Sequence, residues 1–330
     1  MSKRVKVVGA SALSPFGTSL DSFQEALKDG RSSLGQVPDF ELSNHIDSVK
    51  TYVDRTSALA LAASSLAIRE AGWNSEEIDP AAIGLSLGTS WGCLDSLRLF
   101  YEKYQASGPK LAPPMIFPHA YANAPNSLVA IEFGLRDVNL CTSSGNVSGA
   151  MAIGQAMDTL RMGKAKRVLA GAVETLSGSR EDASQEGEAS EGGAMLALES
   201  EGLAQSKACG WLLGWGSAYG DNMASGMTAA IEAAVTDAQI KFADIAVVFY
   251  HSAGSDQRRK QEVEALRRVF GNDIPSELVD LKKSIGDTAG ASASLAAVAA
   301  LLLTGDQPVL INSIDTAGSA ASLILQGIAP

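Results

Sequence analysis

The chain has 330 residues, 46% of them hydrophobic, which is enough to bury a sizeable core in one large domain or two ordinary ones. Its formal net charge is −11 and no basic cluster stands out, which argues against a nucleic-acid partner. The three cysteines, at positions 93, 141 and 209, fit neither a disulfide framework nor a metal-binding spacing, so we expect no metal and no other cofactor.

The N-terminal sequence, MSKRVKVVGA, leads straight into a predicted strand and lacks the apolar core of a signal peptide. No apolar run reaches the length that would span a membrane. Together these two observations predict a cytoplasmic protein with no membrane partner.

Hydrophobic periodicity and turn residues predict alternating strands and helices in the first part of the chain. The predicted helix at 57–71 is apolar on nearly all sides, so we expect it to be buried and to end at Gly72. A loop rich in Pro and Asn at 107–126 is a place where function or a subunit contact is expected. The other predicted elements are a buried strand at 5–9, an amphipathic helix at 19–28, an irregular stretch at 29–52, a strand at 83–87 and a helix at 94–105.

The stretch from 134 to 171 is the one around which the rest of the chain is organised. It comprises a short polar strand, a sharp turn at Ser144-Gly145-Asn146, a small-residue helix at 148–162 and a hydrophobic strand at 168–172. We call this strand–turn–helix junction the elbow. Its turn residue lies at a helix N-terminus, where backbone N–H groups and the helix dipole favour negative charge. That residue is Asn146, which is not a nucleophile.

The same order of elements returns in the second part of the chain. The stretch 57–92 matches 226–255, and 148–171 matches 290–312, each as a buried helix followed by a turn and a strand. These matches predict an internal duplication, with halves at 1–200 and 201–330 and small-residue helices packed between two sheets. The predicted elements here are strands at 211–216, 245–250 and 309–312 and helices at 226–237 and 291–303.

One segment between the two halves has a different composition. Residues 177–193 carry five acidic residues against one Arg and no large apolar residue. Such a composition is typical of a solvated chain, so we predict a mobile surface loop.

These features together resemble the thiolase fold, and specifically the β-ketoacyl synthases of fatty-acid and polyketide synthesis. RVKVVGASALSPFG resembles the opening strand and turn, GLRDVNLCTSSGN the entry to the nucleophile elbow, and NSIDTAGSAASLIL the final strand, with Ile-Asp-Thr at 314–316 in place of a Phe-containing gate. The resemblance implies an α/β fold of two duplicated βαβαβ-type halves stacked as α-β-α-β-α layers. It also implies acyl thioesters and an acyl carrier protein as partners, and a dimer joined along the strand at 138–143.

Four positions correspond to reactive residues of that family. An ungapped count from Gly134 places Asn146 on the catalytic Cys, and His251 opens the segment that resembles the His-Gly-Thr-Gly-Thr motif. Lys282 fits the family lysine, and Asp287 falls where a second catalytic His belongs. An amide does not accept an acyl group, and an ionised carboxylate has the wrong sign to stabilise an enolate. The usual condensing chemistry should therefore be absent, and Asn146 either bonds to neighbouring backbone or binds a thioester carbonyl.

Other roles remain open at the neighbouring positions. Cys141 is a rival nucleophile, although a thiol within a strand is more typically a small buried hydrophobe. His251 is either an oxyanion donor or a polar turn residue. Lys282 either acts chemically or pairs with a carboxylate such as Asp287 or Glu262.

Three functions are compatible with these departures. The first is a non-catalytic ketosynthase homologue, similar to the chain-length factors of type II polyketide and aryl-polyene systems, that forms a heterodimer with an active ketosynthase. The second is an enzyme with altered acyl-thioester chemistry, such as decarboxylation of a malonyl carrier protein, against which the loss of the second His argues. The third is a homodimer that holds an acyl chain or a carrier protein without reacting.

Overall fold

The computed structural model describes residues 4–177, 189–203, 206–251, 256–315 and 317–328. The strands are β1 (Val5–Leu13), β2 (Ile83–Gly88), β3 (Asn139–Thr142), β4 (Arg167–Glu174), β5 (Gly192–Ser200), β6 (Gly210–Tyr219), β7 (Val247–Phe249), β8 (Glu277–Val279), β9 (Pro308–Ile314) and β10 (Ser319–Gly327). The helices are α1 (Leu20–Lys28), α2 (Arg55–Glu70), α3 (Leu94–Ser107), α4 (Ala124–Phe133), α5 (Ser148–Arg161), α6 (Met223–Ala238), α7 (Asp256–Phe270), α8 (Lys282–Ile285) and α9 (Ser292–Leu303).

The strands form one mixed sheet in the order β3-β2-β4-β5-β1-β6-β10-β9-β7-β8. The centre of the sheet lies between β1 and β6. Counted outwards from there, the strands of the first half are β1, β5, β4, β2 and β3, and those of the second half are β6, β10, β9, β7 and β8. Each strand of the second half therefore corresponds to the strand five places earlier in the chain. β2 is parallel to β3 and β4, as β7 is to β8 and β9, whereas β4–β5 and β9–β10 are antiparallel. The halves join where β1 and β6 pair antiparallel, with Val5 opposite Leu212.

Helices cover both outer faces of the sheet and fill the space between its halves. Met157 of α5 and Val298 of α9 belong to the central hydrophobic cluster, which takes side chains from both half-sheets. Leu61 of α2 lies in the outer cluster of the first half, and Ile231 of α6 and Leu266 of α7 lie in that of the second. The predicted fold class, a thiolase-like fold with five α-β-α-β-α layers and two duplicated halves, is confirmed. The division at residue 200 stays a prediction.

Small residues let α5 approach its neighbours closely. A Cβ atom on Gly154 would overlap the ring of Trp215, whose Nε1–H donates to Asp158 Oδ1 at 3.1 Å. At the start of the same helix, a Cβ atom on Gly149 would lie 2.6 Å from the carbonyl oxygen of Gly290. The Ala, Gly and Ser content of α5 is therefore what permits its place between the half-sheets.

Among the element boundaries that differ from the predictions, two have a clear cause in the structure. Strand β1 does not end at Gly9 but continues to Leu13, because the irregular pairing between Val7 and Gly9 is a bulge within the strand. Helix α4 begins inside the predicted loop, at Ala124. Pro125 lies in its first turn, where the missing N–H has no intrahelical partner to lose.

The predicted surface loop at 177–193 is wrong at its C-terminal end. Residues 178–188 lie outside the described residues, but Ser190 and Glu191 are fully buried and β5 begins at 192. The Glu191 carboxylate accepts hydrogen bonds from Arg55 Nε at 2.9 Å and from the Val37 N–H at 2.8 Å. This acidic residue is therefore an internal anchor and not part of a solvated loop.

Candidate functional site

The elbow connects the end of β3 to the start of α5 through residues 143–147. Gly145 has a φ of +62°, a conformation that favours glycine. The buried Ser148 hydroxyl accepts from the Ser144 N–H at 2.9 Å and donates to the Gly145 carbonyl oxygen at 2.6 Å, which fixes the turn. Asn146 is half-buried at its tip, directly before the first turn of α5, where the sequence predicts it.

The end of β9 holds the Asn146 backbone from two sides. The Asn146 N–H donates to Asp315 Oδ2 at 3.0 Å, and the Asn146 carbonyl oxygen accepts from Ser313 Oγ at 2.8 Å. A Cβ atom on Gly145 would overlap the same carboxylate oxygen of Asp315. Glycine at this position therefore makes room for the Asp315 side chain.

A buried carboxylate supports the elbow from behind. Glu174, at the end of β4, is fully buried and accepts from the N–H groups of Ser90 and Trp91 at 2.7 and 3.1 Å. These residues form the turn after β2, and the carbonyl oxygen of Thr89 in that turn shares the Ser148 hydroxyl proton with Gly145, at 3.1 Å from Ser148 Oγ. Glu174 thus fixes a turn on which the elbow rests.

His251 follows β7 and is 4% exposed. Its backbone N–H donates at 2.6 Å to Oε1 of Glu262, a residue of α7 that is 2% exposed. The rest of the predicted motif, residues 252–255, lies outside the described residues. Glu262 therefore fixes the position at which the His251 side chain leaves the backbone.

Lys282 and Asp287 form an ion pair, with Nζ and Oδ1 3.1 Å apart. Of the two carboxylates predicted to pair with Lys282, the structure selects Asp287. The same carboxylate oxygen accepts from the Ala289 N–H at 2.9 Å, and the Asp287 carbonyl oxygen accepts from the Ser190 N–H at 2.9 Å. Asp287 is thus held on several sides in the connection between β8 and α9.

Two of the four predicted site residues line a common pocket. His251 and Lys282 contribute to a small pocket that is partly open to solvent and also lined by Tyr250, Thr288 and Asn312. Burial raises the pKa of the Tyr250 hydroxyl, as does the nearby Asp280, to which Tyr250 donates at 3.3 Å. Asp287 and Asn146 are not among the lining residues. Asp287 joins the pocket through its ion pair, whereas Asn146 contacts Ser313, the neighbour in β9 of the lining residue Asn312.

None of the three thiols lies on the elbow, and each has a raised pKa. Cys93 is buried at the start of α3, where burial and then Asp54 raise its pKa. Cys209 donates to the Val7 carbonyl oxygen at 3.3 Å, and desolvation raises its pKa to about 11. Cys141 is exposed on β3, so the expectation of a buried hydrophobe is wrong. Desolvation raises the pKa of its thiol too.

The histidines other than His251 have structural contacts. His45 stacks on Phe40 with ring centroids 5.8 Å apart, and burial, with a smaller effect from Arg69, lowers its pKa. His119 packs edge-on against Tyr52 at 5.0 Å. In the part of the chain that the structure describes, no group of three His, Cys, Asp or Glu residues could hold a metal ion. Within the same residues, no helix is both long enough and apolar enough to cross a membrane.

Sequence reasoning did not identify Ser313, Asp315 or Glu174 as parts of the site. The sequence marks 314–316 as a departure from the family's gate. It gives no sign that Asp315 contacts a backbone N–H 169 residues away. For Glu174, the only indication in the sequence is its place at the end of the hydrophobic strand β4. A single acidic residue in such a strand indicates that its carboxylate has a buried partner.

Next to the elbow, the molecule exposes an apolar surface and an open sheet edge. β3 is the last strand at its end of the sheet, and Asn126 Nδ2 of α4 donates to its Leu140 carbonyl oxygen at 2.7 Å. Aromatic contacts hold part of this surface together, with ring centroids 5.1 Å apart for Phe117 and Tyr121. We call β3 and these side chains the edge surface, and such a combination is typical of a protein contact. We count with it the exposed large hydrophobic residues of the segment from the turn after β2 to α4, which are Trp91, Leu97, Tyr101, Tyr104, Leu111, Met115, Phe117, Tyr121 and Ile131.

Comparison with known sequences identifies the family on both halves. Family models match as "Beta-ketoacyl synthase, N-terminal domain" over residues 46–186 and "Beta-ketoacyl synthase, C-terminal domain" over 216–312. The 3-oxoacyl-[acyl-carrier-protein] synthase 2 of Synechocystis sp. is 26% identical over an alignment of 360 residues, gaps included. The alignment covers 93% of this chain and 86% of that protein. Nodulation protein E of a Rhizobium species is 26% identical over 346 residues, which cover 92% and 86%.

Solved structures share the fold along the full chain. The ishigamide ketosynthase/chain length factor has a TM-score of 0.90 at 21% identity, covering 100% of both chains. A β-ketoacyl synthase from Burkholderia phymatum has a TM-score of 0.87 at 23% identity, covering 99% of this chain and 100% of that one. A type II polyketide ketosynthase in complex with its acyl-carrier protein also has 0.87, at 19% identity and with coverage of 99% and 100%. With family models matched over more than half of its length, the chain belongs to the β-ketoacyl synthase family.

Proposed function

We propose that this protein is a non-catalytic ketosynthase homologue that acts as a chain-length-factor-like partner of an active β-ketoacyl-acyl-carrier-protein synthase. What carries the proposal is the residue at the elbow, Asn146, an amide that the ungapped count from Gly134 aligns with the family's nucleophile. Covalent acyl transfer needs a group that can attack a thioester and then leave, and a carboxamide is a poor nucleophile.

The surrounding groups do not supply a replacement nucleophile. A reactive cysteine is one whose thiolate is stabilised, whereas all three thiols here have a raised pKa. By the sequence resemblance, the carboxylate of Asp287 corresponds to the second histidine of the family. A negative charge there opposes the enolate that forms during decarboxylative condensation. Both features favour a role in which chemistry takes place in a partner.

The edge surface supports the partner half of the proposal. An unpaired strand edge beside exposed aromatic side chains can continue its sheet into a second subunit and bury apolar area. One structure with this fold is a ketosynthase/chain length factor, and another is a ketosynthase bound to an acyl carrier protein. By analogy, we propose an active ketosynthase at the edge surface and an acyl carrier protein as the source of acyl groups.

Co-expression with a cysteine-bearing ketosynthase encoded beside this gene tests the proposal. We expect a heterodimer by native mass spectrometry and a condensation activity with malonyl carrier protein that requires this subunit. A stable homodimer that turns over malonyl thioester alone would contradict the proposal. A homodimer that holds an acyl chain or carrier protein without turnover would favour the third function.

A matched pair of variants tests the surface itself. Ile131→Arg changes an edge-surface residue that is 74% exposed, and Tyr219→Arg changes a residue that is 73% exposed but lies outside that surface. A buried, unpaired guanidinium at the contact should weaken the heterodimer about tenfold or more, while the control should leave its affinity unchanged. Equal affinities for both variants would exclude the edge surface as the contact.

The alternative that a specific observation favours is altered acyl-thioester chemistry. It rests on the pocket, because His251 and Lys282 bring a possible oxyanion donor and a cation to one cavity. Release of CO₂ from malonyl carrier protein by the isolated chain, lost in His251→Ala, would support this alternative. No CO₂ release from the isolated chain leaves the partner-subunit proposal as the better account.

A further inference from the structure

The backbone N–H of Asn146 already has an anionic partner. It belongs to the residue directly before Val147, the N-cap of α5, and it donates to Oδ2 of Asp315 at 3.0 Å. N–H groups at the start of a helix, together with the helix dipole, favour negative charge. The elbow is therefore an anion-binding position, and the anion in it is a side chain of the same molecule.

Several residues hold this carboxylate in place. Oδ1 of Asp315 accepts from the Ala317 N–H at 3.1 Å, so both carboxylate oxygens are engaged. The Asp315 N–H donates to the Ser319 carbonyl oxygen at 2.8 Å, which fixes the turn between β9 and β10. On the opposite side, Ser313 Oγ binds the Asn146 carbonyl oxygen at 2.8 Å. The elbow and the end of β9 thus hold each other at two adjacent points.

The fit leaves no room for a second acceptor at this N–H group. The carboxylate lies so close to Gly145 that a Cβ atom there would overlap Oδ2. An acyl-thioester oxygen needs the same N–H direction when negative charge develops on it. It would have to displace an ionised carboxylate and would also be repelled by that charge.

We propose that Asp315 closes the anion-binding position of the elbow, so that acyl-thioester oxygens cannot bind at Asn146. The inference deepens the proposed function and rests on it for its biological meaning. In a pair of subunits, a closed elbow in this chain leaves the partner's elbow as the place where the acyl group is held. Asp315 is then a residue that decides which of two similar sites takes the substrate.

Replacing the carboxylate and adding it back as a small molecule tests the closure. Asp315→Ser retains an oxygen that can cap the turn at Ala317 but is too short to reach the elbow. Asp315→Asn is the matched control, because its amide oxygen can still accept the hydrogen bond from the Asn146 N–H, although its NH2 group cannot accept the bond from Ala317. The probe is acetate, and the signal is the backbone amide resonance of Asn146 in protein labelled with ¹⁵N-asparagine. The Asn222 resonance, from the cap of α6, reports whether the fold is intact.

We expect the Asn146 resonance of Asp315→Ser to move saturably as acetate is added. In the unmodified protein and in Asp315→Asn it should not move, because the position is already filled. A saturable shift in the unmodified protein overturns the proposal, whether or not the serine variant folds. So does a folded serine variant whose Asn146 resonance ignores acetate.

This experiment and the test of the proposed function can fail separately. The acetate titration follows one amide of the isolated chain, so it needs neither a partner subunit nor catalytic turnover. A heterodimer could form with an open elbow, and a closed elbow could occur in a homodimer. Failure of the acetate experiment would therefore remove the closure and leave the partner-subunit proposal standing.

Discussion

The connection into α5 and the connection into α9 occupy corresponding places in the two halves of the molecule, but they are built differently. The first takes the chain from β3 to α5 through residues 143–147 and presents Asn146 at its tip. The second takes the chain from β8 to α9 through residues 280–291 and carries the ion pair of Lys282 and Asp287. Both following helices are buried in the central layer. The duplication therefore constrains the core and leaves the connections free to differ.

The second connection also touches the start of α5, the helix that follows the first connection. The carbonyl oxygen of Gly290 would lie 2.6 Å from a Cβ atom on Gly149, and a Cβ atom on Gly290 would lie 2.9 Å from Oε2 of Glu174. The carboxylate that supports the first connection therefore also contacts the second. A change at this meeting point should disturb both halves, whereas a change within the ion pair should disturb only one.

The largest effect is expected from removing the support of the elbow. Glu174→Ala would remove the acceptor of the partly buried N–H groups of Ser90 and Trp91, so the free energy of unfolding should fall by about 3 kcal/mol. Glu174→Gln keeps one acceptor oxygen and should lose about 1 kcal/mol. Urea denaturation of the three proteins measures the difference. Equal stability of Glu174→Ala and the unmodified protein would show that the turn does not depend on Glu174.

A smaller loss of stability is expected where the second connection packs against the start of α5. Gly149→Ala adds a methyl group 2.6 Å from a backbone oxygen of Gly290 and 2.7 Å from Ser294 Oγ, and the backbone must shift to accept it. Overpacking of this kind costs about 1–3 kcal/mol of unfolding free energy. Gly202→Ala is the control, because a Cβ atom there meets nothing within 4 Å. If both variants unfold at the same urea concentration, the contact between the second connection and α5 is looser than described.

The sequence predicts the buried layers of this molecule better than its connections. Helices α2 and α5 are found to within two residues because their apolar patterns and small residues report directly on burial. Helix α4 is missed because Pro125 and its polar neighbours have the composition of a loop. Cys141 is misjudged because nothing local distinguishes an edge strand from an internal one.

The candidate site divides in the same way. Asn146, His251, Lys282 and Asp287 are identified by resemblance, and the ion pair between the last two follows from their short separation in the chain. The hydrogen bond between Asp315 and the elbow depends on strand order and register across the two halves. No local pattern encodes that register, so only the structure reveals that contact.

A still smaller effect is expected from the ion pair of the second connection. Lys282→Met removes the partner of Asp287, and since the pair is partly exposed the loss should be about 1 kcal/mol at low salt and less at high salt. Lys283→Met is the control, because that side chain is 69% exposed and its nitrogen lies 3.8 Å from Asp280. Thermal unfolding at two salt concentrations tests the pair. A loss that does not change with salt would mean that packing of the lysine stem, and not its charge, is what matters.

The last prediction concerns the thiols and changes no stability at all. With its pKa raised to about 11, Cys209 is almost entirely protonated at pH 8, so its alkylation by iodoacetamide should accelerate about tenfold per pH unit up to pH 10. The pKa of Cys141 is raised too, so its exposure alone should not make it react fast at neutral pH. Peptide mass mapping of alkylated protein at each pH identifies the sites. Rapid alkylation of Cys141 at pH 7 would reveal an activated cysteine on the strand that leads into the elbow, and the contrast between an inert first connection and a charged second one would no longer hold.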